Sequence, residues 1–127
     1  MDGQKRILIV DDEEDIRTYL STLLEDQGFK TVVAKDGEEA MKIIQEEPPD
    51  LITLDISMPE KSGVKFFREI KMDERRKNIP IVIVTGVSED FRNFISSRHQ
   101  VPAPEGFVSK PISPDEILDL VRSLTKA

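Results

Sequence analysis

The chain has 127 residues, the size of one compact domain, so a single unit over residues 1–127 is expected. Eighteen Lys and Arg against 25 Asp and Glu give a net charge of −7 and a pI near 4.8, a poor surface for phosphate backbones or anionic lipid; neither nucleic acid nor a membrane is expected as a direct partner. The absence of cysteine and the single histidine, His99, exclude disulfide frameworks, thiol catalysis and histidine-cluster metal sites, while apolar runs too short to span a bilayer point to a soluble, cytoplasmic protein.

Short β-branched runs alternate with amphipathic stretches. Ile7-Leu8-Ile9-Val10 predicts a first strand, and its unbroken apolar character implies burial on both faces, as in a parallel sheet. Ile16, Tyr19, Leu20, Leu23 and Leu24 then form one apolar helical stripe that ends at Gly28. Thr31-Val32-Val33 predicts the second strand. Asp36, three residues before Glu39, signals the start of a helix that buries Met41, Ile43 and Ile44. Leu51-Ile52-Thr53-Leu54 is the third strand, and Val64, Phe67 and Ile70 are the inner face of the helix after it. Ile81-Val82-Ile83-Val84 is the fourth strand. Residues 88–99 carry Phe91, Phe94 and Ile95 at helical spacing, and residues 100–106, with two prolines and a glycine, predict an irregular connection. Phe107-Val108 is the fifth strand. Ser113-Pro114-Asp115-Glu116 opens a last helix with Ile117, Leu120, Val121 and Leu124 inward. Five βα repeats with right-handed crossovers make an α/β, doubly wound, five-stranded parallel sheet, in which ligands sit beyond the carboxyl ends of the strands.

At those ends stand Asp11-Asp12, Asp55, Thr85-Gly86 and Lys110-Pro111. Each has an ordinary explanation alone: acids open helices, threonines fill strand ends, and lysines are solvated. The sheet brings them together. Crowding Asp11, Asp12 and Asp55 disfavours their ionised forms unless a cation sits among them, and a hard divalent ion with oxygen ligands, Mg²⁺, relieves that repulsion. A carboxylate beside such an ion is a nucleophile toward phosphorus, and the transferred phosphoryl group needs a fixed ammonium and a hydroxyl donor. Asp55, Lys110 and Thr85 fill these roles, and Gly86 keeps the entrance from being blocked by a side chain.

These residues resemble the receiver domains of two-component response regulators, with a CheY-like fold, over nearly the whole chain. The matching signatures are the acidic pair Asp11-Asp12; Asp55-Ile56-Ser57-Met58-Pro59 with Gly63; Thr85-Gly86; and Phe107-Val108-Ser109-Lys110-Pro111. The resemblance implies a flavodoxin-like (βα)5 sheet of strand order 2-1-3-4-5, with Asp55 phosphorylated by the phosphohistidine of a sensor histidine kinase or phosphotransfer protein. It implies Mg²⁺ at Asp12 and Asp55, at Asp11 largely through water, and at the backbone carbonyl of Ser57. Lys110 would pair with the phosphoryl group, Thr85 would turn toward it, and Phe107 would change rotamer to alter contacts with an unknown output protein. A cis Lys110–Pro111 peptide is also implied. Phe107 lacks the hydroxyl of the tyrosine often found in this role, so the switch is expected to work by packing. Residues 88–106 are longer and richer in proline than the family pattern.

The expected function is thus a phosphorylation-controlled signalling module whose only chemistry is its own phosphorylation and dephosphorylation, either free-standing or part of a larger regulator. One alternative is a constitutive binding module of the same fold, against which the intact Asp55, Thr85 and Lys110 argue. The other is a small aspartyl-phosphate hydrolase; such enzymes resemble a D-x-D pattern with a cap domain, whereas here Asp11 is followed directly by Asp12.

Overall fold

Apolar runs that pair on both sides leave little choice but a central sheet with helices on each face. The computed structural model describes residues 4–56, 58, 62–86 and 101–126. Five parallel strands, β1 (Arg6–Val10), β2 (Lys30–Ala34), β3 (Leu51–Asp55), β4 (Ile81–Thr85) and β5 (Gly106–Ser109), lie in the order β2-β1-β3-β4-β5. Four described helices accompany them: α1 (Glu14–Asp26), α2 (Gly37–Glu46), α3 (Ser62–Lys71) and α4 (Pro114–Thr125). The helix expected over residues 88–99 lies outside the described residues.

Alternation along the strands separates two cores. Leu8, Val10, Ile52, Leu54, Ile81 and Ile83 meet Ala40 and Ile44 of α2 and Phe66, Phe67 and Ile70 of α3. On the other face Ile7, Ile9, Leu51, Val82 and Val84 meet Leu20 and Leu24 of α1 and Ile117, Leu118 and Val121 of α4. Double-sided burial holds for the three inner strands, while β2 and β5, the edge strands of the described sheet, are partly exposed. Tyr19 departs from the expected stripe: it is 39% exposed at the margin of the buried face of α1, where its phenol reaches water.

The helix ends follow their local chemistry. Gly28, at φ 92°, takes the left-handed conformation that stops α1. Asp36 accepts a 2.8 Å hydrogen bond from the Glu39 amide, and Ser113 accepts one of 3.4 Å from the Glu116 amide, with Pro114 in the first turn. Residues 101–105 are irregular, as the prolines predict, and Lys110–Pro111 is cis. From β1 the chain winds outward to β2 and then back to β3 on the other side. The reversal opens a crevice at the carboxyl ends of β1 and β3, where Asp11 and Asp55 stand.

Gly63 closes that crevice from below. A Cβ there would collide with the Asp55 carbonyl oxygen and lie 2.9 Å from the Ile56 Cα, and backbone cannot swing aside as a side chain can. Alanine is ordinarily the better residue in a helix by about 1 kcal/mol. Gly63→Ala is nevertheless expected to destabilise the protein by about 1–3 kcal/mol in urea unfolding, the cost of overpacking; unchanged or higher stability would show that the contact relaxes freely.

Candidate functional site

The site is assembled by extending strands by one residue. The Asp11 amide donates to the Ala34 carbonyl at 3.1 Å, and the Lys110 amide donates to the Thr85 carbonyl at 2.9 Å, so both follow the ladders past the formal strand ends. Asp11 is pinned further: its Oδ1 accepts from the Glu13 amide at 2.9 Å, and its carbonyl accepts from Arg17 Nη1 at 2.8 Å. Asp55 ends the central strand β3 and, like Asp11, is only 2% exposed. Asp12 is exposed.

Lys110 joins these elements. Its Nζ lies 3.0 Å from Glu13 Oε1, 3.2 Å from Asp11 Oδ2 and 3.4 Å from Asp55 Oδ2. One ammonium thus faces three carboxylates. Burial disfavours its charge, but the Glu13 hydrogen bond and the charges of Asp55 and Asp11 outweigh that cost and push its pKa up to about 12. For Asp11 burial wins: it holds the carboxyl above its ordinary 3.8, the Glu13 amide opposes this, Asp55 adds to it, and Lys110 offsets it in part.

Carboxylate oxygens of Asp11, Asp12, Glu13 and Asp55 all lie within 4.8 Å of one another. Opposite ligands of a small oxygen-bound divalent ion are about 4 Å apart, so this donor set fits such an ion in size and in chemistry.

Thr85 is 8% exposed at the end of β4, and its Oγ1 has no hydrogen-bond partner among the described residues. A Cβ on the neighbouring Gly86 would meet the Lys110 Cβ at 3.4 Å, at the margin of ordinary contact, so alanine fits and only a larger side chain would narrow the entrance. Phe107 sits on the edge strand beside Ile83, 36% exposed. Ser57 lies outside the described residues. Every other residue expected at the strand ends is at this edge of the sheet. Glu13 is an addition: in the sequence it is one of five consecutive acids, and only its place at the start of α1 turns it toward Lys110.

Residues 7–122 match the family model described as the response regulator receiver domain. The chain belongs to that family. This receiver domain is 34% identical over 122 residues to the alkaline phosphatase synthesis transcriptional regulatory protein PhoP of Bacillus subtilis, covering 96% of this chain and 49% of PhoP. It is 38% identical over 119 residues to the autoinducer sensor kinase/phosphatase CqsS of Vibrio cholerae, covering 93% of this chain and 17% of CqsS. The chain therefore spans about half, or less, of the length of these relatives. Among solved structures, the signal receiver domain of a signal transduction histidine kinase from Syntrophus aciditrophicus superposes with a TM-score of 0.85 at 30% identity, over 96% of this chain and 90% of that one. The receiver fold and family expected from the strand-end residues are borne out.

Both shifts make stability fall as pH rises, in separate windows, although at pH 7 the ionised Asp11 costs stability while the ionised Lys110 contributes it. Asp11 has a folded pKa above its unfolded one, so folding favours its protonated form and stability falls as pH rises through that window. Lys110, also raised, contributes stability that is complete below 10.5 and lost as pH rises through about 12. Asp11→Asn, measured at pH 7 with chelator present, is therefore expected to raise the urea midpoint. A lowered midpoint would mean that the Asp11–Lys110 ion pair outweighs burial.

Proposed function

We propose that this receiver domain takes a phosphoryl group on Asp55 from the phosphohistidine of a sensor kinase or phosphotransfer protein, and that the change is read out through Thr85 and Phe107. The observation that carries the reading is the convergence of Asp55, the acids Asp11, Asp12 and Glu13 that follow β1, and Lys110 at the switch point of the sheet. In the transfer an Asp55 carboxylate oxygen attacks phosphorus and forms an O–P bond. The N–P bond of the donor breaks, and its electron pair stays on the departing imidazole nitrogen. Lys110 sits beside the attacking carboxylate and shifts its pairing to the arriving phosphoryl oxygens. In dephosphorylation water attacks the same phosphorus, the Asp55 O–P bond breaks with its electron pair returning to the carboxylate, and inorganic phosphate and a proton leave, so the chemistry begins and ends on the protein's own side chain.

Asp12 and Asp55 would hold Mg²⁺, with Asp11 bound largely through water and Ser57 giving its backbone carbonyl. Bound there, Mg²⁺ supplies positive charge to the transferring oxygens and relieves repulsion among the acids. The output argument rests on the Thr85 hydroxyl. A buried hydroxyl without a partner costs about 1–3 kcal/mol, and a phosphoryl oxygen on Asp55 offers it an acceptor. Turning inward, Thr85 leaves space at the β4–β5 edge for the half-exposed Phe107 ring, and the gain is apolar burial alone because the ring carries no hydroxyl. The domain is proposed to act in the cytoplasm, where kinase and output partner meet; among the described residues no helix is long and apolar enough to cross a membrane.

Intact mass spectrometry after incubation with acetyl phosphate and Mg²⁺ tests the transfer. One phosphoryl adduct is expected, absent from Asp55→Asn and from chelator-treated protein; an adduct that persists in Asp55→Asn would move the acceptor elsewhere, and continuous turnover of the donor would favour the hydrolase. Mg²⁺ at one hundred times its Kd should raise the unfolding free energy by about 2.7 kcal/mol, and Asp12→Ala should remove that gain. Thr85→Val keeps the shape and deletes the unpartnered hydroxyl. The unphosphorylated variant is expected to be as stable as the parent or more stable, by about 1 kcal/mol, while phosphorylation no longer alters amide exchange over residues 101–107. A retained exchange response would remove Thr85 from the readout.

A further inference from the structure

The stretch that runs from α3 into β4 is basic on an otherwise acidic protein. Residues 65–77 carry six of the 18 Lys and Arg and three of the 25 Asp and Glu, a net +3 that leaves −10 for the rest of the chain. The structure sorts those six cations. Lys71 is 2% exposed and its ammonium is bound by Glu105 at 2.8 Å. Arg76 pairs with Asp73 at 2.8 Å, and Lys77 with Glu74 at 2.9 Å. Lys65, Arg68 and Arg75 are exposed and have no carboxylate partner among the described residues.

Helical spacing puts two of these cations on one side of α3. Gly63, Phe66, Phe67, Ile70 and Lys71 are its buried side, so Lys65, Arg68 and Glu69 lie on the opposite side, and Met72 and Arg75 are exposed in the turn that follows the helix. Glu69 is the acid of the helical part of this face and lines a cleft toward α2 with Lys65, Phe66 and Glu38, while Glu74, next to Arg75, is paired with Lys77. Met72 is 64% exposed, the most exposed of the large apolar side chains among the described residues. Arg68, in the last turn, also answers the negative end of the helix dipole. Neither Lys65 nor Arg75 has that reason to be there, and Met72 gains nothing from water.

We propose that the face formed by Lys65, Arg68, Met72 and Arg75 is a docking surface for a short acidic segment of a partner protein, one of whose apolar side chains covers Met72. Charge complementarity selects the class of partner. The patch offers three unpaired cations, and the −10 carried elsewhere repels an extended polyanion or an anionic bilayer over distances comparable to the Debye length, about 8–10 Å. A short peptide segment engages the cations while extending little beyond them, and only a protein segment has an apolar group for Met72. Arg68, Met72 and Arg75 lie toward and beyond the C-terminal end of α3, away from the Asp55 crevice, with Lys65 nearer the N-terminal end, and the proposal does not depend on phosphorylation of Asp55.

The test is a titration at low salt with a capped, fluorescently labelled peptide of alternating Asp, Glu and Leu, read by anisotropy and by amide chemical shifts. Saturable binding is expected, with shifts confined to residues 64–76 and a Kd that rises with salt. The double variant Arg68→Glu/Arg75→Glu should weaken binding at least tenfold, and Met72→Ser several-fold; all three positions are exposed, and unchanged thermal melts would show the folds intact. Any of four results would overturn the proposal: no saturable binding, equal binding by the double variant, shifts located elsewhere, or tighter binding of an oligonucleotide or anionic vesicles than of the peptide. Self-association of the protein lost in the double variant would assign the face to a second copy of the chain instead.

Discussion

One ammonium among several carboxylates is the constraint around which this receiver domain is arranged. Asp11, Glu13 and Asp55 each lie within 3.4 Å of Lys110 Nζ, so without it the crevice holds three negative charges that the surrounding protein cannot solvate fully. Charges 4 Å apart interact by about 4 kcal/mol at an effective dielectric near 20, which is comparable to a substantial part of a domain's stability. At neutral pH the carboxylates outnumber the ammonium. The site keeps a residual negative charge that a cation can relieve, and it holds an ammonium already positioned for an anion arriving on Asp55.

That arrangement needs a frame that does not yield. Asp55 ends an inner strand, Asp11 and Lys110 extend the ladders of β1 and β5 by one residue, and only Glu13 comes from the start of α1, so most of the distances are set by strand spacing. Gly63 lets the start of α3 lie directly against the Asp55 carbonyl, and the hydrophobic layers on both faces hold the strands in register. Against this rigid background, Thr85 buries a hydroxyl without a hydrogen-bond partner among the described residues, and the Phe107 ring on the neighbouring strand is partly exposed. Thr53, inside β3, also buries a hydroxyl without a partner, but only that of Thr85 stands at the end of a strand beside the charged crevice, where a small change in charge can bias it.

The opposite end of the sheet uses a lysine differently. Lys71 is sealed under the start of β4 and β5, where its Nζ donates to the Lys77 carbonyl at 3.1 Å, the Ile79 carbonyl at 3.3 Å and both oxygens of Glu105 at 2.9 and 2.8 Å. Glu105 Oε1 also accepts from the Ile81 amide at 2.8 Å. Such a charge is tolerable only because the neighbouring acceptors satisfy it, and it ties the α3–β4 turn to the chain entering β5. The contrast with Lys110 is one of purpose: Lys71 is enclosed and fully engaged, whereas Lys110 is 17% exposed at the mouth of a crevice with more acids than it can neutralise.

Much of this was legible in the residues themselves, because period and position carry physical meaning. Unbroken β-branched runs marked strands buried on both faces, apolar spacing marked the inner sides of the helices, and Asp36, Ser113 and Gly28 marked helix ends through chemistry confined to a few neighbours. The same logic placed Asp11, Asp12, Asp55, Thr85 and Lys110 at the carboxyl ends of strands, hence at one edge. What local pattern does not contain is direction at a distance. Glu13 is indistinguishable from its acidic neighbours until the start of α1 aims it at a lysine 97 positions away, and Lys71 reads as a surface charge until Glu105 folds over it. The exposure of Tyr19, the unpartnered state of Thr85 and the steric need for glycine at position 63 likewise arise only when separate segments meet. Sequence determined the elements and which residue types reach the site; the tertiary structure decided which charges neutralise one another, since Coulomb energy and burial depend on distances that only packing sets.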